Sequence, residues 1–231
     1  MDKIIQLDKV SKIYGTSVKT QVLFDIDLSF DAQSFNAIIG QSGSGKSTLM
    51  NIMGTLDRPT SGDVTINGTR TDGMKTNELA ALRNQTIGFI FQFHYLLPEF
   101  TALENVLMPA VIKYNKPSAE TVRRAHELME LVGLEKVKNN LSSKMSGGQQ
   151  QRTAIARALI MNPQIILADE PTGNLDSDTT QTVYGMMRQI NDLYRTTFII
   201  ITHDRKIAEM TDRIVEIKDG RINLDVTRST T

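Results

Sequence analysis

The sequence lacks cysteine, long apolar runs and an excess of charge of either sign. None of its 231 residues is cysteine, which excludes disulfide bonds, thiolate nucleophiles and cysteine-ligated zinc, and which fits a reducing cytoplasm. Lysine plus arginine and aspartate plus glutamate each total 26. Bulk charge therefore predicts no attraction to nucleic acid or to an anionic membrane surface.

Segments that would place the chain in a membrane are also missing. A spanning helix needs about 18 consecutive apolar residues, and no such run occurs. Residues 1–7 lack the apolar core and small-residue cleavage site of a signal peptide. We expect no direct membrane insertion and a protein that stays where it is made. The length fits one domain or two closely joined subdomains, and we expect the polar residues 226–231 to fray.

The most informative motif is the G-Q-S-G-S-G-K-S run of residues 40–47, which matches the phosphate-binding pattern G-x-x-x-x-G-K-[ST]. An apolar run that predicts a buried strand precedes it, and residues 48–53 have helical spacing. This strand, glycine turn and helix is the context that supports the motif. A glycine-rich turn that merely caps a helix is the alternative, and it leaves the full match unexplained.

Each residue type in this loop has a chemical reason. Gly43 and Gly45 let the backbone approach an anion without a Cβ in the way. Backbone N–H groups at the helix N-terminus then point at the phosphates. Lys46 would add a charge at the β- and γ-phosphates, and the Ser47 hydroxyl would ligate Mg²⁺.

The order of strands and helices predicts an α/β fold. We predict strands at residues 4–10, 21–30, 35–39, 63–66, 87–91, 164–168, 197–201 and 213–217. We predict helices at residues 48–53, 102–111, 118–131, 149–161, 179–194 and 205–210. Fully apolar strands that alternate with helices indicate a parallel sheet covered on both faces. The helical middle is then an insertion into this core.

Two carboxylates end the predicted strand at residues 164–168. Asp169 would hold Mg²⁺ directly or through water, and Glu170 would polarise the attacking water as general base. An acidic pair that merely ends a strand is an equally common arrangement in isolation. Together with the phosphate loop, the catalytic interpretation is favoured.

Residues 146–149, S-G-G-Q, open another predicted helix and form a second anion-binding helix terminus. One nucleotide cannot occupy two such loops that lie far apart in one subunit. We therefore predict that two copies of the chain face each other, so that each S-G-G-Q segment binds the γ-phosphate held by the other copy's phosphate loop.

These motifs, in this order with Gln92, the N-L-D run at residues 174–176 and His203, resemble the ATP-binding subunit of an ABC transporter. The resemblance covers about residues 4–222. It implies a P-loop NTPase core with a parallel sheet, an N-terminal antiparallel β subdomain and an inserted α-helical subdomain. It implies one domain over residues 1–231, with residues 1–91 and 160–231 as core and residues 92–159 as helical subdomain.

The resemblance also implies ATP as substrate, Mg²⁺ as cofactor and roles for individual residues. The implied catalytic residues are Glu170, His203, Gln92 and Lys46. The implied metal ligands are Ser47, Gln92 and Asp169. The implied ATP-binding residues are Tyr14, Gly40, Gln41, Ser42, Gly43, Ser44, Gly45, Lys46, Ser47 and Thr48. The implied contacts to the other copy are Ser146, Gly147, Gly148 and Gln149 for its ATP, and Asp176 for the dimer.

Tyr14 would stack on adenine, although an ordinary surface tyrosine stays an alternative. Met145 departs from the family's usual leucine, and its similar size should preserve packing.

Residues 91–106 are rich in apolar and aromatic side chains. In this family the region receives a helix of the membrane subunit, although the same side chains could simply fill the helical subdomain. The sequence of residues 91–106 resembles that of the lipoprotein-releasing (LolD-type) group. Other segments resemble the macrolide-exporter (MacB-type) and antimicrobial-peptide exporter ATPases. This implies a peripheral ATPase on the cytoplasmic side of a bacterial plasma membrane. Its partners would be a second copy and a permease with an extracytoplasmic domain, docked between Phe93 and Val106, and it would export or extract a lipoprotein, peptide or drug-like substrate.

Other functions share parts of this pattern. A cell-division (FtsE-type) regulatory ATPase, which drives an extracytoplasmic hydrolase without transport, would carry the same nucleotide motifs. A soluble ABC protein of DNA repair or translation would need a long coiled-coil insertion or two ATPase domains, and this sequence has neither. A P-loop kinase or a small GTPase would not explain residues 146–149.

Overall fold

The fold is described from a computed structural model, in which residues 2–228 can be described. Its strands are β1 (Lys3–Tyr14), β2 (Thr20–Asp31), β3 (Phe35–Ile39), β4 (Ser61–Ile66), β5 (Thr69–Arg70), β6 (Ile87–Phe91), β7 (Ile165–Asp169), β8 (Thr197–Ile201), β9 (Arg213–Lys218) and β10 (Arg221–Thr227). Its helices are α1 (Lys46–Met53), α2 (Thr76–Thr86), α3 (Ala102–Tyr114), α4 (Ala119–Leu131), α5 (Gly147–Leu159), α6 (Ser177–Tyr194) and α7 (Arg205–Ala208). Over residues 2–228, no helix has both the length and the apolar character that crossing a bilayer requires.

Two sheets organise the chain. The first has four antiparallel strands in the order β2-β1-β4-β5. The second has six strands in the order β10-β9-β3-β8-β7-β6, of which β9, β3, β8, β7 and β6 run parallel and β10 pairs antiparallel with β9 at the edge. The predicted antiparallel β subdomain and parallel core sheet are both confirmed.

The parallel sheet is covered on both faces because its central strands are apolar throughout. In β7, Ile166 and Ala168 belong to one apolar cluster, whereas Ile165 and Leu167 belong to a second. Strand β8 alternates in the same way. The first cluster joins α3, α4, α5 and α6 to the sheet, and the second joins α1 and the antiparallel sheet to the opposite face. Apolar packing continues from the helical segment onto the sheet, and the division at residues 92 and 159 stays a prediction.

Some elements differ from the sequence expectations. Helix α2 was not predicted, because it buries only Leu79 and Thr86 and so has little apolar periodicity. Strand β10 was not predicted either, since most of its side chains are exposed and its pairing with β9 defines it. Residues 226 and 227 belong to β10, and the Arg228 N–H donates to the Asp212 carbonyl over 2.7 Å, so the expectation that these three residues fray was wrong. The remainder of that tail, residues 229–231, lies outside the described residues.

The β9–β10 hairpin supports the phosphate loop from behind. The Gly220 N–H donates to the Ser44 carbonyl over 3.0 Å, and the Phe24 N–H donates to the Gly220 carbonyl over 2.9 Å. A Cβ at Gly40 would overlap the carbonyl oxygen of Ile217 in β9. The loop is therefore held between its own strand β3 and a hairpin near the end of the chain.

Candidate active site

Several predicted site residues meet in one open cleft of ≈ 590 Å³. It lies where β6, β7 and β8 end at their carboxyl edges, the usual position of a ligand site in an α/β sheet. The residues that line it are Val22, Ser42, Gly43, Gly45, Lys46, Ser47, Thr48, Gln92, Asp169, Glu170, Ile201 and His203. The fold thus brings the phosphate loop, the carboxylate pair, Gln92 and His203 together.

The phosphate loop has the backbone conformation that its glycines allow. Gly43 and Gly45 have φ angles of 78° and 106°, in the region that favours glycine. A Cβ at Gly43 would meet no atom within 4 Å, so this part of the loop is open. Gly45 precedes α1, and no side chain caps that helix. The first N–H groups of α1 are therefore available to an anion.

Two polar side chains of the loop, those of Lys46 and Ser44, differ in their hydrogen bonding. The Lys46 ammonium donates to the carbonyls of Gly40 and Gln41, each over 2.8 Å. Burial lowers the pKa of Lys46, while the charges of Glu170 and Asp169 act in the opposite direction. The Ser44 hydroxyl is buried without a hydrogen-bond partner among residues 2–228. An orphaned donor of this kind and an open loop suit an oxyanion ligand.

Ser47 and Asp169 lie side by side, with the hydroxyl 3.4 Å from the carboxylate. Burial raises the pKa of Asp169, the charge of Glu170 raises it further, and Ser47 and Lys46 lower it. A buried carboxylate beside a second one attracts a cation. Hydroxyl and carboxylate oxygens also suit Mg²⁺, which in nucleotide sites is held by few protein ligands plus phosphates. Residues 2–228 contain no group of three or more histidine, aspartate or glutamate side chains that could hold a metal ion.

Glu170 and His203 form a direct contact at the mouth of the cleft. The His203 Nδ1 lies 2.9 Å from a Glu170 carboxylate oxygen, and the side chains are 73% and 19% exposed, respectively. Glu170 has a φ of 44°, uncommon for a residue with a side chain. Its N–H donates to the Ile201 carbonyl over 3.0 Å. The backbone therefore turns at the end of β7 and places the carboxylate beside the histidine.

Gln92 follows β6 and lines the opposite part of the cleft. Its amide nitrogen donates to the Asn174 side-chain oxygen over 3.3 Å, and the Asn174 amide donates back to the Gln92 carbonyl over 3.3 Å. A Cβ at Gly173 would come within 2.8 Å of the Gln92 amide nitrogen. The loop that follows the carboxylate pair is thus in contact with the start of the helical segment.

Tyr14 ends β1 near the site, and it does not line the cleft. Its hydroxyl donates to Asp57 over 2.8 Å, and its side chain is 40% exposed. Burial and the bond to Asp57 raise the pKa of Tyr14, and a contact with Thr48 of α1 opposes this. The hydroxyl is therefore held by Asp57, and the Lys12 ammonium lies 4.8 Å from the centroid of the ring.

The S-G-G-Q segment lies apart from this cleft, and none of residues 146–149 lines it. Ser146 caps α5: its hydroxyl accepts from the Gln149 N–H over 3.3 Å, and the Gln149 side chain accepts from the Ser146 N–H over 3.0 Å. Ser146 and Gly147 are exposed. Met145 is buried in the first apolar cluster, as expected for a leucine substitute. That one nucleotide cannot reach both helix termini within a single chain stays a prediction.

Asp176 lies beside that exposed helix terminus. It caps α6, and its carboxylate accepts from the Thr179 N–H over 2.9 Å and from the Thr179 hydroxyl over 2.7 Å. These bonds lower the pKa of Asp176. A Cβ at Gly148 would come within 2.8 Å of the Thr179 methyl group. Two segments with predicted contacts to a second copy therefore form one continuous surface.

Comparison with known families agrees with this geometry. The family described as "ABC transporter" matches residues 23–173, well over half of the chain. The chain belongs to the ABC transporter family. Members of this family bind and hydrolyse ATP, and this chain is accordingly an ATP-binding protein and an ATPase.

Related proteins are similar to this ABC ATPase along nearly its whole length. The lipoprotein-releasing system ATP-binding protein LolD 1 of Rhodopseudomonas palustris is 50% identical over 224 residues, which cover 96% of this chain and 99% of that protein. The dimeric structure of the ATP-binding cassette MJ0796, in a post-hydrolysis state bound to ADP and Pi, has a TM-score of 0.88 at 40% identity and covers 96% of this chain and 98% of that one. CbiO1 from Clostridium perfringens, part of the complex cbiONQ, has a TM-score of 0.88 at 28% identity, with 98% and 89% covered.

Sequence reasoning missed several neighbours of the site in this ABC protein. Val22 and Ile201 line the cleft, and their apolar character predicted only strands. Asp57 holds both Tyr14 and Lys12, and nothing in the local pattern around it indicates this pairing. Asn174, the partner of Gln92, belongs to the N-L-D run, so its position in a motif was the available signal.

Proposed function

We propose that this chain is the ATP-hydrolysing subunit of a lipoprotein-releasing transporter, in which two copies enclose two ATP molecules. The observation that carries the proposal is the separation of two anion-binding helix ends, one open in the catalytic cleft and one exposed elsewhere. The similarity to LolD 1 over 96% of the chain supports lipoprotein extraction over drug export. The dimeric MJ0796 structure bound to ADP and Pi supports the paired arrangement.

ATP binds to this chain through the phosphate loop. The N–H groups of Gly43, Gly45 and the first turn of α1 contact the phosphates. Lys46 exchanges its two carbonyl partners for phosphate oxygens. Ser47, Asp169 and Gln92 would hold Mg²⁺, which would neutralise charge on the phosphates. Tyr14 stacks on the adenine, with its hydroxyl held by Asp57.

Hydrolysis uses the groups at the mouth of the cleft. Glu170 accepts a proton from the water that attacks the γ-phosphorus, and the bond from that phosphorus to the ADP oxygen breaks. His203, 2.9 Å from Glu170, orients this carboxylate and contacts the γ-phosphate. Gln92 orients the water and also connects the cleft to the helical segment. The products are ADP and inorganic phosphate, and the proton leaves from Glu170.

The second copy completes each site. Ser146, Gly147, Gly148 and Gln149 of one copy contact the γ-phosphate held by the other, and Asp176 contacts the partner beside them. In the free chain Ser146 and Gln149 bond to each other, so closure of the dimer replaces part of this cap with phosphate contacts.

A mixing experiment tests the shared site. Lys46→Ala and Ser146→Arg should each abolish most ATPase activity alone. In a mixed dimer one site carries both defects and the other carries neither, so activity should return on mixing. Ser118→Arg is the matched control, because the Ser118 side chain also caps a helix, accepting from the Thr121 N–H at the start of α4. This variant should lose stability without losing turnover. No recovery on mixing, with dimers demonstrated, would contradict the shared site.

The chain works, in this proposal, as a peripheral protein on the cytoplasmic side of the bacterial inner membrane, held by a permease subunit that has an extracytoplasmic domain. Large apolar side chains are exposed between Phe93 and Val106, with Phe93 67% and Tyr95 64% exposed. Next to this segment is a cleft of ≈ 440 Å³ between α2, β6, α3 and α5, here called the α2–α3 cleft. Exposed apolar surface beside a groove is typical of a protein interface. We assign both to the permease.

Leu97→Glu tests this docking surface. The Leu97 side chain is 40% exposed, and Asn105 and Ser142 hold its main chain. A carboxylate there should leave folding and ATP binding intact. Its burial against the permease should lower affinity on the order of a hundredfold. Leu193→Glu, an exposed leucine on α6, is the matched control. Unchanged co-purification of a folded Leu97→Glu protein would place docking elsewhere.

A further inference from the structure

The α2–α3 cleft combines an apolar floor with an uncompensated positive charge. Phe89 and Phe91 stack on each other with ring centroids 5.6 Å apart and both line the cleft, together with Pro109 and Ile112 of α3. Ile112 is 75% exposed at its rim. The lining also contains Arg83 and Arg157, and over residues 2–228 it contains no aspartate or glutamate. An apolar cleft with guanidinium groups and no carboxylate is complementary to an apolar segment that carries a negative charge.

Arg157 is half-buried, and its guanidinium contacts main-chain carbonyls. It donates over 2.6 Å to the carbonyl of Tyr95 and over 2.6 Å to that of His94. Burial lowers the pKa of Arg157, and the charge of Arg157 adds to burial in lowering the pKa of His94. A guanidinium has five N–H donors, so donors remain unused after these bonds. Buried cations in proteins usually have a carboxylate partner.

Arg83, on the α2 side of the cleft, is also a guanidinium without a carboxylate partner among residues 2–228. It donates to the Thr55 carbonyl over 2.9 Å. Helix α2 supplies Arg83 and helix α5 supplies Arg157, so the charges come from two sides of the cleft. An occupant that carried only apolar side chains would bury both charges unpaired, which is costly.

We propose that the segment of the membrane subunit that enters the α2–α3 cleft carries a carboxylate that pairs with Arg157, next to an apolar side chain that packs on Phe89 and Phe91. This inference rests on the proposed function, because it assumes a membrane partner, and it adds the chemistry of the segment that docks. The fork of a guanidinium matches a carboxylate with two parallel hydrogen bonds. The second guanidinium, Arg83, strengthens the positive field that selects this acidic residue over a neutral one.

Zero-length crosslinking tests the pair in the intact complex. Arg157→Lys places a primary amine in the cleft, and a water-soluble carbodiimide joins such an amine to a carboxylate in contact, with loss of water. The complex is made by co-expression with the membrane protein encoded by the neighbouring reading frame. We expect a crosslink between Lys at position 157 and an aspartate or glutamate of that protein, identified by mass spectrometry. Arg124→Lys is the matched control, because Arg124 also donates to two main-chain carbonyls and lies outside the cleft.

A second measurement does not depend on the lysine variant. Arg157→Gln should shorten the lifetime of the detergent-solubilised complex roughly 30-fold or more, the effect of leaving a buried charge unpaired, whereas Arg124→Gln should not. Equal lifetimes for the two glutamine variants, with no partner crosslink from position 157, would overturn the inference. If the wild-type chain formed no complex at all, the proposed function would fail first, so the two failures are distinguishable.

Discussion

The N-termini of α1 and α5, the two helix ends with predicted anion contacts, differ in their capping and in their surroundings. Helix α1 begins after Gly45 with no side-chain cap, inside a cleft that also contains two carboxylates and a histidine. Helix α5 begins after Ser146, which forms reciprocal bonds with Gln149, and this end is exposed outside that cleft. The first end needs a ligand to satisfy its N–H groups, whereas the cap of the second satisfies the Ser146 and Gln149 N–H groups in the free chain.

Under the proposed function, this difference would let one chain keep two phosphate-binding segments without binding two nucleotides. The α1 end has all the groups needed to hold a nucleotide and to polarise water. The α5 end has donors and no cleft, so it contributes only when another surface brings a phosphate to it. Variants at either helix end test this difference.

The largest effect should come from Glu170→Gln. Loss of the general base should reduce hydrolysis about 10²- to 10⁴-fold, while Lys46, Ser47 and Asp169 still bind the nucleotide. Phosphate release measures the first effect, and size-exclusion chromatography with ATP should show a closed dimer that accumulates. Wild-type turnover in this variant would remove Glu170 from the role of base.

Lys46→Ala should act earlier, at binding. It removes the only side-chain ammonium among the residues that line the described cleft, and charge-assisted bonds to phosphate would be lost. We expect nucleotide affinity in Mg²⁺ to fall about 10- to 100-fold, measured by titration with a fluorescent ATP analogue. Lys113→Ala, an exposed lysine outside the cleft, is the control. An unchanged affinity would mean that Lys46 stays with its two carbonyls when ATP is bound.

A smaller effect distinguishes complete from incomplete sites without any mutation. Because the α5 end must come from a second copy, the ATPase activity per molecule of the isolated chain should increase with protein concentration and then level off. Without nucleotide the chain should be mostly monomeric by analytical ultracentrifugation. Activity per molecule that stays constant down to concentrations at which only monomer is present would show that one copy suffices.

The smallest effect concerns the stability of the ligand-free chain. Burial, and then the charge of Glu170, raise the pKa of Asp169, so the folded state binds this proton more tightly than the unfolded chain does. Stability from this group is present below the unfolded pKa and is lost as the pH rises through the folded one. Asp169→Asn should therefore raise the Tm at neutral pH without Mg²⁺ or ATP. The difference should shrink as the pH is lowered into the ordinary range of carboxyl groups. Calorimetry that found a lower Tm at neutral pH would contradict this.

Much of the fold could be predicted because its signals are local. Fully apolar runs gave the parallel strands, and Ser118 and the loop glycines marked helix boundaries. Helix α2 and strand β10 were not predicted, because neither has clear apolar periodicity. Tertiary packing holds α2, and pairing with β9 holds β10. The catalytic cleft could be predicted from motifs. The bonds of Tyr14 to Asp57 and of Gln92 to Asn174 could not, since they join residues far apart in sequence. The division into subdomains and the roles of single site residues stay predictions.

The support of the phosphate loop by the β9–β10 hairpin bears on the order in which the protein is made. A growing chain contains every residue of the G-x-x-x-x-G-K-S motif long before Ile217 and Gly220 leave the ribosome, yet these two residues pack against Gly40 and bond to Ser44. Strand β3 likewise pairs with β8 and β9, both of them late. The motif is thus present early in synthesis, whereas the support of its folded loop comes from the last strands. A nascent chain without these strands should therefore bind ATP weakly.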